Sequence, residues 1–170
     1  MLNCVIKNKN GFTLLEALVA ISILMVAVMA PITIVQKGLS SAVYSKSQMI
    51  ASYLAQDALE YVINQRDFAS INNNFNWASF LTAFSQCRNA NSCQIDTITG
   101  AIAPYNSNSF LLQTIADHFY GYAVGGIATN FTRQIQITNP NNGNANEALV
   151  TVTVNWGGGN LVVKTLIYNY

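Results

Sequence analysis

The segment from Phe12 to Val35 reads FTLLEALVAISILMVAVMAPITIV, and its only charged residue is Glu16. As a helix it would be about 36 Å long, which is enough to cross the hydrocarbon core of a bilayer. Lys7 and Lys9 precede it, and residues 1–11 contain no acidic residue. Because positive charges stay on the cytoplasmic side, this pattern predicts a single-pass protein of the cytoplasmic membrane with a cytoplasmic N-terminus.

Glu16 is an acidic residue inside an apolar segment. A charged side chain there costs about 2.5 kcal/mol or more, so we expect it to have a partner or a function. Cleavage after Gly11 would give Phe12 a free amine one helical turn from Glu16. In a bundle of such helices, pairing of the carboxylate with an amine would neutralise both charges. The alternative is an acidic side chain that reaches the nearby cytoplasmic interface.

The run from Gly11 to Ala20, GFTLLEALVA, closely resembles the class III signal of type IV pilins and type II secretion pseudopilins. The resemblance implies that a prepilin peptidase/methyltransferase cleaves after Gly11 and methylates the amine of Phe12. It also implies that Glu16 neutralises the amine of an adjacent subunit during assembly. The run is most similar to minor pilins of the V type or minor pseudopilins of the I and J types. The implied partners are other pilins or pseudopilins, that peptidase and the inner-membrane assembly platform.

Two other N-terminal signals compete with this interpretation. A standard secretory signal has an apolar run of about 7–15 residues, with the cleavage site after it. Here the run is longer, and the plausible cleavage point at Gly11 precedes it. The second alternative is a signal anchor that tethers an extracytoplasmic binding or enzymatic domain without assembly into a filament. A plain anchor leaves Glu16 unexplained.

Pro31 and Gly38 are two helix-weakening residues late in the apolar run and just after it. A proline removes one backbone hydrogen bond and bends a helix, and a glycine weakens it. Similar pilins carry a helix breaker in this zone, where the helix partly melts in the filament. An ordinary proline kink, which membrane helices tolerate, explains the same residues. Both interpretations stay open.

Residues 36–67 are expected to continue the helix as an amphipathic half, because no Pro or Gly occurs from Ser40 to Asp67. Its periodicity predicts one face that packs on a sheet and one that is polar. The predicted apolar face comprises Met49, Tyr53, Leu54, Ala58, Tyr61 and Val62, and the polar face comprises Lys46, Gln56, Asp57, Glu60 and Arg66.

Residues 68–170 are expected to form an extracytoplasmic globular domain that ends in an antiparallel sheet. Three alternating segments predict strands at Phe131–Thr138, Ala148–Trp156 and Leu161–Tyr168, with turns at residues 139–144 and 157–160. Trp77–Phe84 is a possible short helix capped by Asn76. The predicted fold class is therefore α+β and pilin-like. Its long N-terminal helix has a transmembrane half at 12–35 and an amphipathic half packed on the sheet.

Cys87 and Cys93 bracket five residues in the predicted globular domain. Because that domain would face an oxidising space, we expect a disulfide. A metal site would need two further ligands, and His118 is the only histidine in the chain. Cys4 lies in residues 1–11, which the resemblance implies are a prepilin leader peptide, and would be lost on processing.

Composition argues against two functional classes. Charged residues make up 9% of the chain, the net charge is +1, and no Lys/Arg run occurs, so nucleic-acid binding is not expected. The sequence contains no P-loop, G-x-S-x-G or H-E-x-x-H motif, so we predict no enzymatic activity and no catalytic, cofactor or metal residues. The predicted function is a minor structural subunit of a type IV pilus or type II secretion pseudopilus, and the choice between those systems stays open.

Overall fold

A computed structural model describes residues 11–71, 76–114, 118–122, 125–139 and 146–169. Within these ranges the chain forms helix α1 (Leu14–Ile71), helix α2 (Trp77–Ala83), a 3-10 turn (Ser85–Cys87) and two antiparallel sheets. It divides into two units, one ending at Val43 and the other beginning at Tyr44. A long N-terminal helix followed by antiparallel sheets confirms the α+β arrangement, which is consistent with the pilin fold.

The first unit contains the apolar half of α1. Among the described residues, α1 is the one helix long and apolar enough to cross a membrane, and none of its most apolar 18-residue stretch is buried within the protein. An apolar surface of this size needs lipid or other helices to cover it. The helix continues through Pro31 and Gly38. The proposed kink or local melting there stays a prediction.

The second half of α1 buries a row of three alanines and two larger apolar residues in the core of the second unit. This row consists of Ala51, Leu54, Ala55, Ala58 and Val62. Met49 and Tyr53 are 62% and 65% exposed, so their assignment to the buried face is wrong. Leu54, Ala58 and Val62 confirm the rest of the prediction, and the three alanines of this row let the helix backbone approach the sheet closely.

The larger sheet has five strands in the order β2-β1-β6-β7-β8, with antiparallel neighbours throughout. Its long strands are β6 (Thr132–Thr138), β7 (Glu147–Trp156) and β8 (Gly159–Tyr168), which confirms the three predicted segments. Trp156 pairs with Gly159, so the second turn is two residues long and tighter than predicted. The first predicted turn, residues 139–144, lies outside the described residues apart from Asn139.

The other strands come from the part of the chain between residues 68 and 130, for which the sequence predicts no strand. β1 (Cys93–Ile95) and β2 (Ile102–Pro104) extend the larger sheet beyond β6. A second sheet has the order β4-β3-β5. Its strands are β3 (Leu112–Gln113), β4 (Tyr120–Gly121) and β5 (Ile127–Ala128).

Two local predictions for this region are confirmed. Asn76 caps α2, because its Oδ1 accepts a hydrogen bond from the Ser79 N–H at 3.0 Å. Cys87 and Cys93 form a disulfide with a Cα–Cα distance of 4.7 Å, and both residues are fully buried. The bond joins the 3-10 turn to the start of β1. It therefore fixes the connection between α2 and the sheet.

Candidate functional site

The N-terminal end of α1 presents the residues of the predicted processing signal at an accessible surface. Phe12 is 76% exposed, and Gly11 precedes it. A Cβ added at Gly11 would meet no described atom within 4 Å. The folded chain therefore gives no steric reason for glycine at this position.

Thr13 forms the N-cap of α1. Its carbonyl oxygen accepts a hydrogen bond from the Ala17 N–H at 3.1 Å, and its Oγ1 accepts one from the Glu16 N–H at 3.3 Å. Thr-x-x-Glu is the spacing of a capping box, in which the threonine satisfies a free N–H of the first turn. The sequence prediction gives Thr13 no role of its own, although this spacing is a signal for one. The cap fixes the helix start at Leu14, two residues after the proposed new N-terminus at Phe12.

Glu16 lies in the first turn of α1 with its side chain exposed. Among the described residues it forms no ion pair. The N-terminal end of a helix carries partial positive charge, which favours a carboxylate there but does not neutralise it fully. Within the described part of one chain, the carboxylate is therefore available to an external cation.

Arg133 is a second notable residue, which the sequence prediction assigns only to a strand. It is fully buried on β6, in phase with Ile135 and Ile137. Its Nη1 donates to Asp57 Oδ2 at 2.7 Å and to the Leu54 carbonyl oxygen at 3.1 Å. Its Nη2 donates to the Ile95 carbonyl oxygen at 2.8 Å. One guanidinium thus connects β6 to α1 and β1.

The described residues offer no cluster that could hold a metal. No group of three or more His, Cys, Asp or Glu side chains that could hold a metal occurs among them. His118 has a left-handed backbone with φ of 57°, and its neighbour Asp117 lies outside the described residues.

Burial raises the pKa of Tyr122 to about 12, with the Arg133 charge opposing that shift. Tyr122 donates its hydroxyl to the Arg133 carbonyl oxygen at 3.5 Å, which is a packing contact in the second unit.

Comparison with known proteins finds one family model. The prokaryotic N-terminal methylation motif matches residues 6–30, a range that contains Gly11, Phe12, Thr13 and Glu16. This motif defines a protein with a prepilin-type N-terminus, anchored by the apolar helix that follows. The match supports the assignment of the chain to the type IV pilin and pseudopilin family. No curated protein and no solved structure matches the chain.

Proposed function

We propose that this protein is a minor structural subunit of a type IV pilus or a type II secretion pseudopilus. In this proposal a prepilin peptidase cleaves after Gly11 and methylates Phe12, and the subunit then assembles through α1. The observation that carries the proposal is the methylation motif over residues 6–30, at the start of a helix with exposed apolar side chains.

Glu16 is the assembly residue in this proposal. When apolar helices bundle, water no longer screens the carboxylate, and an unpaired charge there becomes costly. The amine of Phe12 on an adjacent subunit has the opposite charge and lies at the same end of the helix. Pairing of the two groups would neutralise both and fix the axial register of neighbouring subunits.

The proposed topology places the N-terminus in the cytoplasm and the second unit outside. Lys7 and Lys9 support this orientation through the positive-inside bias. The Cys87–Cys93 disulfide supports an oxidising location for the second unit. Leader removal takes away both lysines, so the net charge changes from +1 to −1 and gives no support to nucleic-acid binding. The subunit would have no enzymatic activity.

Intact-mass measurement of the membrane-extracted protein tests the processing step. We expect a mass that corresponds to loss of residues 1–11 and gain of one methyl group, with the methyl located on Phe12 by fragmentation. An unprocessed N-terminus in cells with an active prepilin peptidase would contradict the proposal.

Substitution of Glu16 tests the assembly step separately. Glu16→Ala should be cleaved normally but should enter filaments poorly, because the carboxylate that pairs with the amine is gone. Glu60→Ala removes an exposed acidic residue from the second half of the same helix and should assemble normally. Filament incorporation of Glu16→Ala at the wild-type level would refute amine pairing and leave the processing assignment intact.

A further inference from the structure

A cleft of about 460 Å³ opens on the surface of the second unit. It lies between the second half of α1, the turn after β1 and the start of β4. The lining residues are Tyr53, Leu54, Asp57, Thr97, Ile98, His118, Phe119 and Tyr120. None of them belongs to the N-terminal signal, so the cleft is separate from the site described above.

The rim of the cleft brings together three large apolar side chains. Tyr53, Ile98 and Phe119 are 65%, 50% and 62% exposed. They come from three separate segments of the chain, and such convergent exposed apolar groups mark surfaces that contact a partner. Aromatic residues in particular are enriched at the centres of protein interfaces.

The backbone of Phe119 is held in place by Thr114, the residue that follows β3. Its backbone N–H donates to Thr114 Oγ1 at 3.1 Å, and its carbonyl oxygen accepts from the Thr114 N–H at 2.8 Å. These bonds fix the backbone that carries the ring, so little freedom is lost when a ligand binds.

Asp57 places a carboxylate in the cleft, and the buried Arg133 behind it balances its charge. Its Oδ2 accepts from Arg133 Nη1 and from Thr97 Oγ1, both at 2.7 Å, whereas no described residue donates to Oδ1. The side chain is 47% exposed, while Arg133 behind it is fully buried and also donates to two backbone carbonyls. Among the described lining residues Asp57 is the one acidic side chain, and none is Lys or Arg.

We propose that this cleft binds a basic side chain, Lys or Arg, presented by a neighbouring protein subunit. The faces of aromatic rings such as those of Tyr53 and Phe119 attract cations. The Oδ1 atom of Asp57 can accept a hydrogen bond from the N–H groups of the basic side chain. The apolar rim covers the aliphatic stem of the basic side chain. The proposal rests on the function above only for the identity of the partner as a filament subunit.

Binding of matched small probes tests the charge requirement. The full processed chain in detergent micelles is titrated with Nα-acetyl-arginine amide and with Nα-acetyl-citrulline amide, its neutral analogue of the same shape. Amide chemical shifts of the protein report the binding. We expect the arginine probe to bind at least about fivefold more tightly, with shift changes at Tyr53, Thr97 and Phe119. Equal affinities for the two probes would overturn the proposal.

Variants of the rim locate the site. Tyr53→Ser and Phe119→Ala should each weaken the arginine probe about threefold to tenfold, because each removes one exposed ring. Phe110→Ala removes an aromatic ring that is 46% exposed and does not line the cleft, so its affinity should match the wild type. Asp57 is kept, because its removal would leave buried Arg133 without its carboxylate. Unchanged binding in both rim variants would overturn the proposal.

A choline titration distinguishes the source of the cation. Choline carries the quaternary ammonium of a lipid headgroup and should bind more weakly than the arginine probe. Tighter choline binding would refute a protein side chain as the ligand. Intact mass of the same preparations reports leader cleavage, so a failure of the cleft proposal is distinct from a failure of the proposed function.

Discussion

Arg133 is a buried cation whose contacts are made by residues distant in sequence. It reaches Asp57 and Leu54 across 76 and 79 residues, and it is fully buried. A buried guanidinium is costly to desolvate, and its hydrogen bonds to a carboxylate and two carbonyls offset that cost. Removal of the arginine therefore leaves acceptors without donors inside the core.

Arg133→Met should destabilise the second unit strongly. We expect a loss of about 1–3 kcal/mol in the free energy of unfolding, because the buried carbonyl oxygens of Leu54 and Ile95 lose a donor, whereas Asp57 is 47% exposed and water can hydrate it. Urea unfolding followed by the fluorescence of Trp77 and Trp156 measures it, since both tryptophans lie in this unit. Lys164→Met removes an exposed cation from β8 and should change the free energy by less than about 0.5 kcal/mol. A similar small effect of Arg133→Met would refute the structural role of the buried guanidinium.

Tyr122 makes the stability of the second unit depend on pH in the alkaline range. Burial raises its pKa to about 12 in the folded chain, against about 10 when unfolded. Its stabilising contribution is complete below pH 10, because both states then hold the proton. As pH rises from 10 through 12 the unfolded state loses the proton first, so about 2–3 kcal/mol of stability is lost.

Substitution of Tyr122 isolates that contribution. Tyr122→Phe has no proton to lose, so its free energy of unfolding should fall less steeply between pH 10 and 12 than that of the wild type. Urea unfolding at several pH values in that window measures the two slopes. Tyr168→Phe changes a tyrosine that is 50% exposed and should keep the wild-type slope. Equal slopes for Tyr122→Phe and the wild type would contradict the assignment.

These residues show what sequence can and cannot reveal at this scale. Gly11, Phe12 and Glu16 lie within the matched methylation motif, so a short local pattern was enough to predict a prepilin-type N-terminus. The burial of Arg133 was not predictable from its neighbours, since it depends on partners more than 70 residues away. Its alternation with Ile135 and Ile137 is the only local sign of an inward position.

At the scale of elements, α1 shows how side-chain size selects the buried face. The prediction gave weight to large apolar residues such as Met49 and Tyr53, which are exposed. The structure buries Leu54, Ala58 and Val62 as predicted and adds Ala51 and Ala55, because small side chains permit close packing on the sheet. The three long strands were predictable from alternation over seven to ten residues, whereas strands of two or three residues have no detectable period.

Ala55→Leu should overpack the interface between α1 and the sheet. Ala55 is fully buried, and added methylene groups have no space there. We expect a loss of about 1–3 kcal/mol in the free energy of unfolding, measured by urea denaturation. Ala42→Leu makes the same change at an exposed position of the helix and should be close to neutral. Equal stability of the two variants would show that the alanine row does not set the helix–sheet distance.

Gly38→Ala tests whether α1 melts locally at this residue in the filament or only bends there. Alanine is favoured over glycine in a helix by about 1 kcal/mol, and a Cβ here would meet nothing within 4 Å. If the helix melts at this point in the filament, the stiffer variant should be incorporated several-fold less well. Ser40→Ala, two residues away and also exposed, is the control. Wild-type incorporation of Gly38→Ala would exclude a requirement for melting at this residue.

At the scale of the whole molecule, the two units bury their apolar surface in different ways. The second unit has its own core, whereas the first half of α1 leaves its apolar side chains exposed. In the proposed function, such a chain would be stable in the membrane as a precursor and in a helical bundle as a subunit. Cleavage after Gly11 would separate these two states, because it would remove Lys7 and Lys9 and create the amine that Glu16 would meet.

Gly11→Val tests whether cleavage controls the whole molecule. The substitution should leave the fold unchanged, because a Cβ at Gly11 would meet no described atom within 4 Å. A bulky residue at the cleavage point should nevertheless block the peptidase, so intact mass should show the full leader and filaments should lack the subunit. Gly38→Ala, a glycine substitution outside the matched motif, should be cleaved normally. Normal cleavage of Gly11→Val would refute the processing site, and with it the pairing of the Phe12 amine with Glu16.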